Sequence, residues 1–574
     1  MNVLSGRAAL TVAIAWACAS WGLPRPAAAQ TGLLPPPSLD AGALQQRAID
    51  EEQRRAREAS SRIPRVDKPL DSAEPARSSP ATETLLATRI RVGEIVFSPS
   101  KFLNADELAA LAKPLVGRLA TIGELRALVA RIDALYRERG VPTARAVLPP
   151  QEVTNGRVFI RLVEGTLGKI SLAGNATTDT GYVTNRLGVQ PGETIDVGAL
   201  EDDLVWFNRT NDAQLRAQLT PGADGGTTDL NLALIEPPAL GLRLNVDNGG
   251  PDATGRTRGS VVGTWRSPLG QRDELSAGLL GSDGTFGWFA SYAVPFNRYG
   301  GRVGFTHNQD RNDIRHGPFA GLGLNGESST QTLSLRQPLI VTNALYFDVS
   351  LAGRWRESKN RVEDIELQRT RTEDATLAFD ANYTAATRWS FGGGLSASSL
   401  KARIDDPFGN LSDRNFTIVR TNARAQWELG HGVSARVLGV AQATGDERLP
   451  ASEQFFLGGD GTVRGYTPSL VAGDRGWYAN AELHHPLWSP RFMNEQGVAL
   501  RGFAFYDTGN ARPYRTPTSS LPRSETIASA GWGLSLQWTR GLSTRVAIAY
   551  RLKDRDDETR GNPGVHVQAS YALF

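Results

Sequence analysis

The residues best placed for chemistry lie in one stretch, Phe455-Phe456-Leu457-Gly458-Gly459-Asp460-Gly461-Thr462-Val463-Arg464-Gly465-Tyr466. Gly458, Gly459 and Gly461 fall within four positions. Glycine loses too much backbone freedom on ordering to sustain a regular helix or strand there. The stretch reads as a loop, and it carries one cation, Arg464. Further on, Phe505-Tyr506-Asp507-Thr508-Gly509 reads as a strand. Its alternation is expected to set the Asp507 carboxylate on the face opposite its aromatic neighbours. A loop arginine and a strand aspartate in a poorly hydrated space would form a short, charge-assisted pair. The plain alternative is an exposed glycine turn with a solvated arginine.

Other constellations lead away from catalysis. His484-His485 are adjacent, and neighbours in a strand point to opposite faces, so they do not chelate one ion. Gly458-Gly459-Asp460-Gly461 is followed by no Gly-Lys-Ser/Thr and opens no helix, so it is not a phosphate loop. No G-x-S-x-G stands in a strand-turn-helix context. No catalytic residue, metal site or cofactor is expected.

Composition narrows the class. The chain has 574 residues, with 60 glycines, 20 phenylalanines, 12 tyrosines and 12 tryptophans, but one cysteine and two methionines. That mixture suits many short strands with tight turns. A net charge of +3 gives no nucleic-acid footprint. Residues 1–29 read as a secretory signal: Arg7, an apolar core from Ala8 to Trp21, and Ala27-Ala28-Ala29 before Gln30. Cys18 lies inside it, in a poor context for lipidation, so the mature chain would carry no thiol. After Gln30 there is no apolar run of roughly 18 residues, which excludes a helical membrane protein but not a barrel.

The elements that would position the loop follow in order. Within 30–60, Ser38 is expected to cap a helix from about Leu39 to Ala59, with Asp50–Arg54 and Glu51–Arg55 pairs. Its apolar stripe, Leu39, Ala43, Leu44 and Ala48, is thin, and its later turns are charged nearly all round. Residues 61–88 are rich in proline, serine and charge and read as an extended linker. Residues 89–164 alternate as β-α-α-β-β: a strand Ile90 to Phe97, helices Ala105 to Leu115 and Ile122 to Arg139, strands Ala144 to Leu148 and Val158 to Val163. Residues 165–237 repeat the pattern, from a strand at Ile170 through helices Thr178 to Leu187 and Val197 to Asn208 to strands Gln214 to Thr220 and Thr228 to Ile235. Turns are expected at Asn155-Gly156 and near Gly225.

From Pro237-Pro238 onward helical periodicity is absent and short alternating stretches recur. Trp532, Leu534, Leu536 and Trp538 alternate with Gly533, Ser535 and Gln537; Leu242-Leu244-Val246, Val349-Leu351 and Val546-Ile548-Tyr550 behave likewise. One greasy and one polar face is what a strand between lipid and a wet lumen needs. A water-soluble β-sandwich or propeller also alternates. The leader and the lack of disulfides favour the barrel over 238–574, with 14, 16 or 18 strands all compatible with the pattern. Val565 to Leu573 would close it, ending at Phe574.

Val463-Arg464-Gly465-Tyr466 resembles the V-R-G-Y signature of the outer-membrane transporters of two-partner secretion, the haemolysin and filamentous-haemagglutinin secretion/activation proteins. Phe505-x-Asp507-x-Gly509 is similar to that family's F-x-D-x-G motif on the inner barrel wall, and the likeness extends through Glu482-Leu483 and Pro486-Leu487. The resemblance implies a transmembrane β-barrel of about 16 antiparallel strands, preceded by two periplasmic α+β POTRA domains and an N-terminal plug helix. It implies a pore in the Gram-negative outer membrane, not an enzyme. That pore would recognise an unfolded TpsA-type adhesin or haemolysin-like exoprotein through its POTRA domains and export it. Its other partners would be outer-membrane lipid and the barrel assembly machinery that inserts it. The alternative within the superfamily is an assembly factor that inserts or exports other outer-membrane proteins. A passive porin has no need of the units in 89–237.

Overall fold

The computed structural model describes residues 36–60, 70–72 and 89–573, apart from 142–143, 154, 225–226, 386–387, 407–410, 447, 489–497, 513–523, 539–540 and 556–557. The expected leader with Cys18, most of the linker, the turn at Gly225 and the terminal Phe574 lie outside these residues.

Two helices form in the first α+β unit because their starts are capped. Asn104 accepts from the Asp106 N–H at 3.2 Å ahead of Ala105–Ala112. Thr121 and Glu124 exchange hydrogen bonds at 3.1 and 2.7 Å, a capping box opening Ile122–Glu138. Leu125, Leu128, Ile132 and Tyr136 recur on one face and are buried against Val158, Ile160 and Leu162. The sheet places Arg157–Val163 between Glu94–Phe97, which is parallel to it, and Arg145–Val147, which is antiparallel.

The expected single strand from Ile90 to Phe97 is in fact two. Arg89–Arg91 pairs with Leu119–Thr121, and Glu94–Phe97 joins the main sheet. The break falls at Gly93, whose N–H donates to Gly156 O at 2.7 Å. Asn155 and Gly156 both take left-handed backbone (φ 55° and 73°), and a Cβ on Gly156 would sit 2.8 Å from Gly93 N.

The second unit has the sheet order 70–72, 214–221, 227–235, 166–173. Helices Thr180–Thr184 and Val197–Thr210 cover one face, burying Val183, Leu200, Leu204 and Phe207 over Leu215, Leu230 and Leu232. Within the extended linker, Leu70–Ser72 adds to this sheet, pairing parallel with Ala217–Leu219. Strand addition needs only backbone groups on a sheet edge, so composition gives no sign of it.

Residues 240–572 form a closed antiparallel barrel of sixteen strands. The first, Leu240–Asp247, pairs with the second, Arg258–Arg266, and with the last, Pro563–Ala572. Side chains alternate as the pleat dictates. In Leu324–Val341, Ser328 and Thr330 are buried inward while Leu333 and Leu335 stand exposed outward. Trp532 and Leu534 likewise face out. No described helix is long and apolar enough to cross a membrane.

The second unit is bolted to the turns at one end of this barrel. The Arg272 side chain is fully buried and forks onto the Asp212 carboxylate, with Nε to Oδ1 at 2.8 Å. Arg209 donates to the carbonyls of Thr342 and Asn343 at 2.6 and 2.8 Å, and Arg186 to that of Asn297 at 3.0 Å.

A helix, Ala41–Ser60, lies inside the barrel. Asp40, rather than the expected Ser38, caps it: Oδ1 accepts from the Ala43 N–H at 3.0 Å, and Oδ2 accepts from Asn360 on the wall at 2.6 Å. Gln45 donates to Asp310 at 2.6 Å and accepts from Ser328 and Thr330 at 2.7 and 2.6 Å. Arg258, on the second barrel strand, holds Glu51 at 2.7 Å. The thin apolar stripe ends at Leu39, which packs on Ile314 and Leu324. A polar helix is satisfied here because the wall facing it is polar.

Candidate functional site

The glycine-rich loop turns back into the barrel instead of standing clear of it. A two-stranded ladder, Phe455–Leu457 against Val471–Gly473, forms its stem. Gly458 and Gly459 then take φ of 108° and 89°, conformations strained for any side chain, and the Thr462 hydroxyl closes the turn on the Gly458 N–H at 2.8 Å. One side of the loop is apolar: Phe455, Leu457, Val463, Tyr466 and Val471 pack with Ala511 and Ile527 of the wall. The other side presents Arg464.

Arg464 meets Asp507 directly. Nε and Nη2 lie 2.7 Å from Oδ2 and Oδ1, a bidentate fork, and the Arg464 backbone N–H donates to Oδ2 at 3.2 Å. The strand Arg475–Trp488 pairs in register with Ala499–Arg512, which sets Asn480 opposite Asp507. Asn480 Nδ2 donates to Oδ1 at 2.8 Å and to Thr462 O at 2.6 Å. Both members are buried: Arg464 is 3% and Asp507 0% exposed. The guanidinium carbon lies 3.6 Å above the Phe505 ring. Its Nη1 donates to Glu482 at 2.6 Å, and Glu482 also accepts from Arg545 at 2.5 Å and contacts His484 Nε2 at 2.8 Å. Two carboxylates and two guanidiniums thus meet with charges balanced, Arg464 and Asp507 buried and Arg545 at the more exposed edge, and balance is the condition under which buried ions are tolerated.

The rest of the motif locks the loop backbone. Gly465 has φ 91°, and its N–H donates to His566 Nε2 at 2.8 Å while its carbonyl accepts from Arg551 at 2.8 Å. His566 accepts that proton only as a neutral imidazole carrying its hydrogen on Nδ1. Tyr466 Oη lies 2.9 and 2.8 Å from the carbonyls of Ala528 and Lys553. Gly509 lies on the wall strand where a Cβ would come within 2.8 Å of Leu457.

One expectation about this strand is corrected. Phe505 shares the inward face with Asp507, and only Tyr506, 48% exposed, points the other way. A period of two puts residues two apart on one side. The structure also brings in Glu482, Asn480, Arg545 and His566, whose roles depend on strand register that no local pattern reveals. His484 is buried and His485 exposed, on opposite faces.

Comparison with known proteins places this geometry. The model of the haemolysin secretion/activation protein family ShlB/FhaC/HecB matches residues 226–536, more than half of the chain. That of the ShlB-type POTRA domain matches residues 90–165. The heme/hemopexin transporter protein HuxB of Haemophilus influenzae strain 86-028NP is 25% identical over 79% of this chain and 81% of its own length. The outer membrane transporter CdiB of Escherichia coli is 24% identical over 83% of this chain and 81% of its own. A solved structure of CdiB from Escherichia coli has the same fold, with a TM-score of 0.62 at 22% identity, covering 95% of this chain and all of that one. The chain therefore belongs to the haemolysin secretion/activation family, the outer-membrane transporters of two-partner secretion.

Proposed function

We propose that the loop Phe455–Tyr466 is the gate of this transporter, which exports a partner exoprotein across the outer membrane, and that Arg464 on Asp507 holds the gate in its resting position. The single observation that carries the reading is the buried bidentate pair joining the loop to the wall, the charged contact among the apolar packing and backbone hydrogen bonds that seat the loop there. Val463 and Tyr466 supply the apolar seat, Gly465 the turn, and Phe505 and Gly509 the matching wall. The helix Ala41–Ser60 is the plug. Residues 165–237 act as a second POTRA domain beside 89–164. Edge strands of these units offer backbone hydrogen bonds to an extended client. The client then enters the lumen as the plug withdraws, and folding outside buries apolar area and prevents return. No covalent step is required.

Arg464→Ala is the test. Removing one partner of a buried pair costs roughly 3–5 kcal/mol, here confined to the loop. The variant barrel should insert and remain heat-modifiable on gels, while secretion of the cognate exoprotein falls at least tenfold. Wild-type secretion by that variant would remove the proposed role.

A further inference from the structure

We propose that Glu453 is a second anchor of the lumen loop and that it couples the loop to the plug through one shared pair of arginines. Glu453 sits two residues before the loop stem, in the short helical turn Ala451–Glu453, and is 1% exposed. Arg354 Nη2 and Arg356 Nη1 reach its Oε1 at 3.0 and 3.2 Å, and Arg420 Nη2 reaches Oε2 at 2.9 Å. Arg354 and Arg356 are two apart on the strand Leu345–Val362, so both point into the lumen. The same two guanidiniums grip the plug: Arg354 Nη1 donates to Gln46 Oε1 at 2.9 Å, and Arg356 Nη2 donates to the same oxygen. Gln442 ties the Glu453 carbonyl to that of Asp474, so the two ends of the loop are drawn together there.

The arrangement has a thermodynamic consequence. The planar fork of each arginine meets one acceptor on the plug and one on the loop, besides an acceptor on the wall, Asp374 for Arg354 and Thr330 for Arg356, each at 2.9 Å. Losing either the plug or the loop acceptor leaves the other with a guanidinium held by one partner fewer. Plug seating and loop seating therefore stabilise each other, and by linkage the effect is reciprocal. A second contact works in the same direction, since Arg47 of the plug bonds the Ser469 hydroxyl of the loop and lies 5.0 Å from the Phe456 ring. Glu453 is a positioning residue, distinct from the Arg464–Asp507 pair.

The inference rests on the reading of Ala41–Ser60 as a plug, and a double-mutant cycle separates the two. The full-length transporter is placed in planar lipid bilayers and its opening frequency recorded for Gln46→Ala, Glu453→Gln, the double variant and a deletion of residues 38–60. Each single change should raise opening about tenfold, within the usual range of coupling between sites. The double variant should open little more often than either single one, because both break one shared unit. Multiplying effects in the double variant would overturn the coupling while leaving the plug in place. An unchanged conductance in the deletion would sink the plug and the coupling together. Arg356→Lys keeps the charge but loses the two-way fork, and it covers the case in which Glu453→Gln fails to insert. It should raise opening as Glu453→Gln does, and wild-type opening would count against the proposal.

Discussion

Arg464 and Asp507 draw attention by residue type alone, because a lone cation among glycines is hard to explain as packing. Their partners do not. Glu482 meets Arg464 only because one strand lies beside another in a particular register, and Arg545 arrives from a third strand. Phe505 lies on the same face as Asp507, as the period of two requires. Closeness is a further residue-scale constraint. A Cβ on Gly564 would lie 2.6 Å from the Gly465 Cα, which is backbone and has little freedom to yield. Gly564→Ala should therefore lift the loop off the last strand at a cost of about 1–3 kcal/mol. We expect a heat-modifiable barrel with secretion reduced about tenfold. Secretion at the wild-type level would mean that the loop need not lie against that strand.

At the scale of elements, the helices of the first unit were legible from their apolar spacing, whereas the break at Gly93 that divides its first strand was not. Thr121 and Glu124 mark one start, and Leu125, Leu128 and Ile132 mark the buried stripe. The strand at 70–72 was not legible, since its only contribution to the sheet is a backbone pairing. The capping box also predicts acid sensitivity. The hydrogen bond from Arg118, 2.7 Å away, and that from the Thr121 N–H hold Glu124 down at about 2 from its usual 4.5. A depressed carboxylate stabilises the fold above its unfolded value and ceases to do so as pH falls toward its folded one. Amide protection at 122–125, measured against the intrinsic exchange rate at each pH, should fall between pH 4.5 and about 2 in the wild type. In Glu124→Gln the protection should be lower at neutral pH but flat across that window. An identical acid response in the variant would show that the carboxylate is not responsible.

At the scale of the molecule, alternation carried the class, while the count of sixteen strands came with the family resemblance, because it follows from how the sheet closes and not from any one stretch. The sequence carried no sign that the second unit is rigidly mounted. Arg272 and Asp212 form that mount with charge and fork geometry together, so Arg272→Ala leaves Asp212 without its fork. Spin labels on the second unit and on the barrel turns should give one narrow distance in the wild type and a broad distribution in the variant. A narrow distribution in both would assign the mounting to the contacts of Arg209 and Arg186. Deleting the plug tests the molecule as a pore: single-channel conductance should rise, and an unchanged value would place the resistance elsewhere.

The short strand Leu70–Ser72 has a consequence for the stroke length of opening. It is fastened to the second unit, and only the nine residues 61–69 separate it from the end of the lumen helix at Ser60. A fully stretched leash of that length reaches about 35 Å. The helix itself is about 30 Å long. Travel beyond that reach must peel the strand from its neighbour, baring the edge Ala217–Leu219 at the moment the channel is empty.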